Sequence, residues 1–122
     1  MATINPVVNR TIQGANSIVT ATWGPMAAGD VCIPVSLTDW ADRSVQFTGT
    51  FGGSVAIQGS NEATPVNYAT LNDPSNNPLS ISTPAIKQCL EMALWLRPNP
   101  GIGVAAVTVT MAGRQLIPLA WS

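Results

Sequence analysis

Apolar and polar residues alternate along several short stretches of this chain, and a period of two residues is typical of β-strands. The most regular stretch covers residues 45–61, VQFTGTFGGSVAIQGSN, which contains no charged residue and no proline. Val45 and Phe47 fall on one face of its first half. The polar side chains of the opposite face are Gln46, Thr48 and Thr50. We expect the apolar face to form half of a core and the polar face to contact another subunit.

A glycine pair interrupts this alternation. Gly52 and Gly53 can supply the positive φ angles that a tight primed turn requires. Apolar and polar residues alternate again directly after the pair. The stretch therefore predicts a β-hairpin, with residues 45–51 and 55–59 as its two strands.

The same alternation predicts further short strands elsewhere in the chain. They cover residues 17–23, 30–37, 68–71, 79–82, 93–98 and 104–111. Ten glycines and ten prolines separate these runs, so none of them is long. Many short strands bounded by turn residues favour an all-β fold, a sandwich or a barrel, over a helix bundle.

Residues 83–92 have a different pattern. Thr83 suits the N-cap of a helix and Pro84 its first position, while apolar residues recur at helical spacing as far as Leu90. This pattern predicts one short helical segment near residues 84–91.

The two ends of the chain differ from its middle. Residues 1–16 show no steady period, and residues 115–122 carry large apolar groups. We therefore expect a β-sandwich domain over residues 17–114 with an extended arm at each end. The arms either fold back onto their own domain or dock on a neighbouring subunit. The candidate interface residues of the C-terminal arm are Leu116, Ile117, Leu119 and Trp121.

Charged residues make up only 9% of the 122 residues, against about 25% in a typical soluble domain. A net charge of −1 gives no electrostatic reason to bind nucleic acid or an anionic membrane. Neutral polar surfaces need less desolvation than charged ones when another protein covers them. An ordinary β-rich domain with neutral faces would have the same composition. The sequence contains neither an apolar run of transmembrane length nor a recognisable signal peptide.

Few residues offer catalytic or metal-binding chemistry. The chain has no histidine. Because no export signal is recognisable, we expect Cys32 and Cys89 to be free and buried and not joined in a disulfide. Asp39 and Asp42 are better explained as turn residues or as partners of Arg43 than as a catalytic pair. Asn72, Asp73 and Asn76 fit an Asx turn better than a calcium site. We predict no catalytic residue, metal ligand or cofactor site, and we expect the protein not to be an enzyme.

Large aromatic residues leave two interpretations open. Trp95 stands between Leu94 and Leu96, so it faces away from them and is a candidate interface residue. Tryptophans bury large areas and are commonly core or interface groups. An exposed Trp95 or Tyr68 could instead stack on a sugar.

Several separated elements of this chain resemble small virion proteins of tailed bacteriophages. They are ADRS, GTFGG, VAIQGSN, YATLNDP, LWLRP and VTVT, at residues 41–44, 49–53, 55–61, 68–74, 94–98 and 107–110. The likeness extends over about residues 20–112 in the same order. These elements are structural and not catalytic.

A second resemblance is to discoidin-type, galactose-binding-like jelly rolls. It is carried by the QGS element at residues 58–60 and by the WLR element at residues 95–97. It implies a jelly-roll sandwich, although the extended ligand-binding loops of those domains are not evident in this sequence.

The first resemblance implies a capsid decoration, or cement, protein made in the bacterial cytoplasm and located on the capsid exterior. Such a protein binds the major capsid protein and itself, as a homodimer or homotrimer. The alternative is a carbohydrate- or receptor-binding module of a phage tail or fibre.

Overall fold

The computed structural model describes residues 2–14, 16–38, 40–91 and 93–116. Within these ranges the regular structure is entirely β, with no helix. The strands are β1 (Thr3–Ile4), β2 (Val7–Gln13), β3 (Asn16–Met26), β4 (Val31–Cys32), β5 (Ala41–Thr50), β6 (Val55–Ser60), β7 (Ala69–Thr70), β8 (Ser80–Ile81), β9 (Ala85–Gln88), β10 (Trp95–Pro100) and β11 (Ala106–Leu116).

The strands form two main antiparallel sheets. The first has the order β2-β3-β11-β5-β9. In the second, β6 pairs with β10 along one edge and with β7 and β8 along the other. Val35, just after β4, pairs with Leu96 of β10, and β4 also pairs in parallel with β1.

From β3 onwards the chain crosses repeatedly between the two sheets. It passes from β3 to the β4 segment, then to β5, β6, β7 and β8, β9, β10 and finally β11. These crossings place β11 between β3 and β5, and β10 between the β4 segment and β6. This is the strand order of a jelly roll, built from two interleaved Greek keys. The expectation of an all-β, jelly-roll-like sandwich is confirmed.

The core lies between the inward faces of the two sheets. One sheet contributes buried side chains such as Trp23, Phe47 and Met111, and the other contributes side chains such as Ile57 and Leu96. Burying a side chain of this size stabilises the fold by about 1.5–3 kcal/mol relative to leaving it exposed. The Trp23 indole Nε1 donates a hydrogen bond of 2.7 Å to the carbonyl of Ile33, so its polar atom is satisfied inside the core.

The predicted hairpin over residues 45–59 is wrong. β5 pairs with β11 and β9, whereas β6 belongs to the opposite sheet, so the segment between them crosses the sandwich. Gly52 and Gly53 are needed there for a different reason. A Cβ on either residue would collide with backbone of the turn after β10, at Gly103 or Ile102. Close backbone packing, and not a primed turn, explains the glycine pair.

The predicted helical segment near residues 84–91 is also wrong, because residues 85–88 form the edge strand β9. Pairing with β5 sets the register Phe47↔Ala85 to Ser44↔Gln88. The free edge of β5 offers this segment four ladder partners, and that tertiary pairing overrides the local helical pattern. Pro84 lies just before the strand, where a missing N–H removes no ladder bond.

Most of the predicted N-terminal arm is part of this domain. β1 pairs with β4, and β2 forms the edge of the five-stranded sheet next to β3. Whether residues 1–16 also dock on a neighbouring subunit stays a prediction. In the predicted C-terminal arm, residues 115–116 end β11, and residues 117–122 lie outside the described residues.

Candidate protein-interaction surface

Apart from the Arg114–Asp42 pair at one end, the outward side of the five-stranded sheet is a broad surface without charge. Its members lie on four neighbouring strands and, in β3, β5 and β11, alternate with core residues. We call them the neutral face: Asn9, Thr20, Thr22, Ser44, Gln46, Thr48, Thr50, Ala106, Thr108, Thr110 and Ala112. This surface includes the three β5 residues that the sequence singled out, and all three are exposed.

Strand register brings these residues together from distant parts of the chain. Gln46 lies opposite Thr110, which in turn lies opposite Thr22. The hydroxyl groups of Thr22 and Thr110 are 3.3 Å apart, within hydrogen-bonding distance. Thr48 lies opposite Thr108 in the same way. The neutral face is therefore a set of cross-strand pairs that can donate and accept hydrogen bonds.

A short sequence pattern underlies this face. Three neighbouring strands each contain two threonines separated by one residue, at 20–22, 48–50 and 108–110. In β3 and β11 the intervening residues, Ala21 and Val109, are buried in the core. Threonine is β-branched and favours strands. Of these threonines, only Thr48 and Thr50 of β5 were predicted from the sequence as interface residues, and the repeated Thr-x-Thr spacing was the signal that could have identified the others.

Charged side chains mark one end of the neutral face. Arg114 of β11 forms an ion pair with Asp42 of β5, and both side chains are more than half exposed. The pairing considered for Asp42 with Arg43 is therefore wrong. Arg43 points inward, where its Nη2 donates 2.7 Å to the Glu91 carbonyl and its Nε donates 3.3 Å to the Cys89 carbonyl. This buried guanidinium ties β5 to residues 89–91 without adding charge to the surface.

Two carboxylates, those of Asp30 and Glu62, stabilise loops by accepting hydrogen bonds from backbone N–H groups. Asp30 accepts hydrogen bonds of 2.9 Å from the backbone N–H groups of Ala27 and Ala2, and these bonds lower the pKa of the carboxyl group. Glu62 accepts bonds from the backbone N–H groups of Asn67 and Val66, which lower its pKa in the same way. Hydrogen bonds to the ionised form favour that form. Both carboxylates, in their ionised form, therefore hold loop backbone in place through hydrogen bonds.

Both cysteines are free and buried, as the sequence predicted. Burial raises the pKa of Cys32 to about 12 and raises the pKa of Cys89 as well. A thiol nucleophile needs a lowered pKa and access to solvent, so neither group is suited to that role.

No group of three or more histidine, cysteine, aspartate or glutamate side chains is close enough to hold a metal ion in the described ranges. The Asp73 carboxylate caps its own turn, accepting bonds from the N–H groups of Ser75 and Asn77. Asp39 lies outside the described residues. The part of the chain that the structure describes contains no helix that could span a bilayer.

Trp95 lies on the other sheet, opposite Ser60 of β6, and so is not part of the neutral face. The structure does not bring it together with Gln46, Thr48 and Thr50. On the same side of that sheet the Arg97 guanidinium stacks on the Tyr68 ring, 3.6 Å from its centroid. One face of this tyrosine is thus covered by the protein itself. Leu116 ends β11, and Ile117, Leu119 and Trp121 lie outside the described residues.

No protein-family model, curated protein or solved structure matches this chain.

Proposed function

We propose that this chain is a non-enzymatic capsid decoration protein of a tailed bacteriophage, which binds the outside of the major capsid shell and stabilises it. The observation that carries the proposal is the neutral face, a surface built from four strands without a charged side chain. The capsid as the partner comes from the sequence resemblance over about residues 20–112.

The physical properties of the neutral face suit permanent contact with protein. Covering hydroxyl and amide groups costs less desolvation than covering ammonium or carboxylate groups, provided that they find hydrogen-bond partners. The sheet beneath packs on the core between the two sheets, so little conformational freedom is lost on docking. Many copies act on one shell, and modest contacts then sum to a large stabilisation.

Self-association is part of the proposal, as a homodimer or homotrimer on a symmetry axis of the shell. The edge strand β2 supports it. Residues 7–12 are all exposed, and the register between β2 and β3 is continuous, without a bulge. A regular edge strand with one free side is a template for pairing with another chain.

The test is cosedimentation of the purified full chain with undecorated heads of the phage that encodes it, together with its mass in solution by light scattering. We expect saturable binding at a fixed ratio to capsomers and a defined oligomer. Heads that bind no chain would overturn the proposal.

Two matched variants test whether the neutral face is the surface that contacts the capsid. Thr48→Glu places a charge in the middle of the neutral face and is expected to weaken head binding about tenfold or more, because the carboxylate must be desolvated. Thr70→Glu places the same charge on β7 of the other sheet, where the side chain is also exposed, and should bind normally. Equal binding by both variants would exclude the neutral face as the contact surface.

A carbohydrate- or receptor-binding role is the second candidate, and one observation favours it. The indole Nε1 of Trp95 is buried from solvent and has no hydrogen-bond partner in the described part of the chain. A ligand hydroxyl that reached this atom would satisfy it. A glycan screen read by tryptophan fluorescence tests this role, and Trp95→Phe should abolish any signal that depends on the indole N–H.

A further inference from the structure

The outer edge of β2 is the least protected sheet edge in the described ranges. β2 is seven residues long, pairs with β3 without a bulge, and contains neither lysine nor proline. The opposite edge strand of the same sheet, β9, has only four residues, contains Lys87 and follows Pro84. In the other sheet, β7 and β8 have two residues each, and Val35 covers part of β10 by pairing with Leu96. Short strands, lysine, proline and covering segments commonly protect a sheet edge from pairing with another chain, and β2 has none of these four.

The backbone of β2 defines the kind of partner that fits this edge. In an antiparallel sheet, alternate residues of an edge strand direct their N–H and C=O groups away from the neighbouring strand. On both faces the side chains of residues 7–12 are exposed, so no other part of the described chain covers the strand. A second extended strand would satisfy the outward backbone groups in a regular ladder.

The sequence of β2 is self-complementary about Arg10. When two antiparallel copies of the strand overlap along their full length, residue 8 lies opposite residue 12, and residue 9 lies opposite residue 11. The first pair joins the β-branched apolar side chains of Val8 and Ile12, and the second joins the polar side chains of Asn9 and Thr11. Cross-strand pairs of like polarity stabilise a sheet. This pattern favours a second copy of the chain as the partner.

The apolar pair lies on the core side of the sheet. Val8 is opposite Ala21, which is buried, and Ile12 is on the same face of β2 as Val8. Val8 and Ile12 are nevertheless 44% and 71% exposed, because the opposite sheet does not cover them. In a pair of copies, each Val8 would pack on the partner's Ile12, and the buried apolar area would add to the stabilisation from the ladder.

Arg10 limits the strength of this pairing. It is the charged residue of β2, and full overlap places it opposite its own copy. Like charges directly opposite each other destabilise a sheet. We therefore expect a reversible dimer. Because pairing uses the β2 edge of both copies and β9 is protected, assembly stops at two copies.

We infer that two copies of this chain pair through antiparallel β2 strands about a two-fold axis at Arg10. The two five-stranded sheets then form one continuous sheet. Directly opposite residues of a ladder have their side chains on the same face, so the two neutral faces lie side by side on one side of the dimer. This inference rests on the self-association in the proposed function, and not on the capsid as the partner.

The first experiment measures the mass of the full chain in solution by sedimentation equilibrium over a range of concentrations, without heads. We expect a monomer–dimer equilibrium. Val8→Lys adds a positive charge beside the partner's Arg10 and should weaken the dimer about tenfold or more. Ile86→Lys places the same charge on β9, at an isoleucine that is 65% exposed, and should dimerise as the wild type does. Arg10→Thr removes the like-charge pair and should tighten the dimer about threefold or more.

A cysteine at the axis tests the register. In Arg10→Cys the two new thiols lie directly opposite each other, with Cα atoms about 4.5–5.5 Å apart, which a disulfide can span. We expect oxidised glutathione to link two copies of this variant. In the control, Thr11→Cys, the new residues are offset along the strands and their Cα atoms are about 8 Å apart, beyond the reach of a disulfide. The native Cys32 and Cys89 are buried in both cases, and urea unfolding checks that each variant keeps the fold.

The outcomes separate this inference from the decoration role. A wild-type chain that is monomeric at every concentration, or that forms a trimer, overturns the β2 dimer, and head binding by that chain would leave the decoration role standing. A dimer weakened by Ile86→Lys and not by Val8→Lys would assign the pairing to β9 and also overturns it. Crosslinking of Thr11→Cys without crosslinking of Arg10→Cys contradicts the two-fold register. A dimer with the expected variants that fails to bind heads supports the β2 pairing and overturns only the capsid as the partner.

Discussion

Individual glycines in this protein have different physical reasons to be glycine. Gly49 has a φ of 122°, and a Cβ there would collide with the Ala106 carbonyl on the adjacent strand β11. Gly14 has a φ of 61° but open space around the Cβ position. Position 49 is thus restricted by both backbone conformation and contact, and position 14 by backbone conformation alone.

These two positions give a matched prediction. Gly49→Ala should lower the free energy of unfolding by about 2–4 kcal/mol, because the chain must shift β5 away from β11 as well as adopt a strained φ. Gly14→Ala should lower the free energy of unfolding by about 1 kcal/mol, because only the strain of the left-handed backbone conformation is added. Urea unfolding of both variants measures the difference. Equal losses would show that the contact with Ala106 is easily relieved.

At the scale of elements, β11 and β2 occupy opposite positions in the same sheet. β11 is hydrogen-bonded on both sides, to β3 and to β5, and its inward residues Val107, Val109 and Met111 are fully buried. Among the described residues β2 pairs only with β3, and its residues 7–12 are exposed on both faces. The free energy of local unfolding is therefore much smaller for β2 than for β11.

Hydrogen exchange should resolve this difference. At low protein concentration we expect β11 amides to exchange only through global unfolding and β2 amides to exchange about a hundredfold faster or more. Mass spectrometry of peptides covering residues 7–13 and 106–116 provides the measurement. Protection of β2 that rises with protein concentration would indicate strand pairing with a second copy. Protection equal to that of β11 in a monomer would contradict the expectation.

At the scale of the whole molecule, charge is distributed unevenly. The neutral face is uncharged, whereas the Arg114–Asp42 pair lies at one end of it and Arg97 lies on the other sheet. Arg10 of β2 and Lys87 of β9 pair with Val19 and Val45, so they belong to the opposite side of the five-stranded sheet. Long-range attraction between opposite charges therefore contributes little to a partner docked on the neutral face.

Head binding should consequently be nearly independent of ionic strength. We expect the dissociation constant to change less than about threefold between about 0.05 and 0.5 M NaCl, because salt screens only charged contacts. Cosedimentation over a salt series checks this result. Binding that weakens tenfold or more with salt would mean that ion pairs outside the neutral face hold the complex.

The amino-acid sequence by itself determined the strand content and which side chains point outward along β5. Alternation is a local property: Val45 and Phe47 must share one face of a strand, and Gln46, Thr48 and Thr50 the other, whatever the strand pairs with. The absence of histidine and the low content of charged residues also follow from the sequence without a structure.

Tertiary structure alone decided which segments pair. A glycine pair at 52–53 fits both a hairpin turn and a crossing between the two sheets. Only the contact with Gly103 and Ile102 distinguishes these two structures. Residues 85–88 became a strand because β5 had a free edge. The neutral face joins residues up to about a hundred positions apart in sequence, such as Asn9 and Ala112. Such pairings depend on long-range packing, which no local pattern encodes.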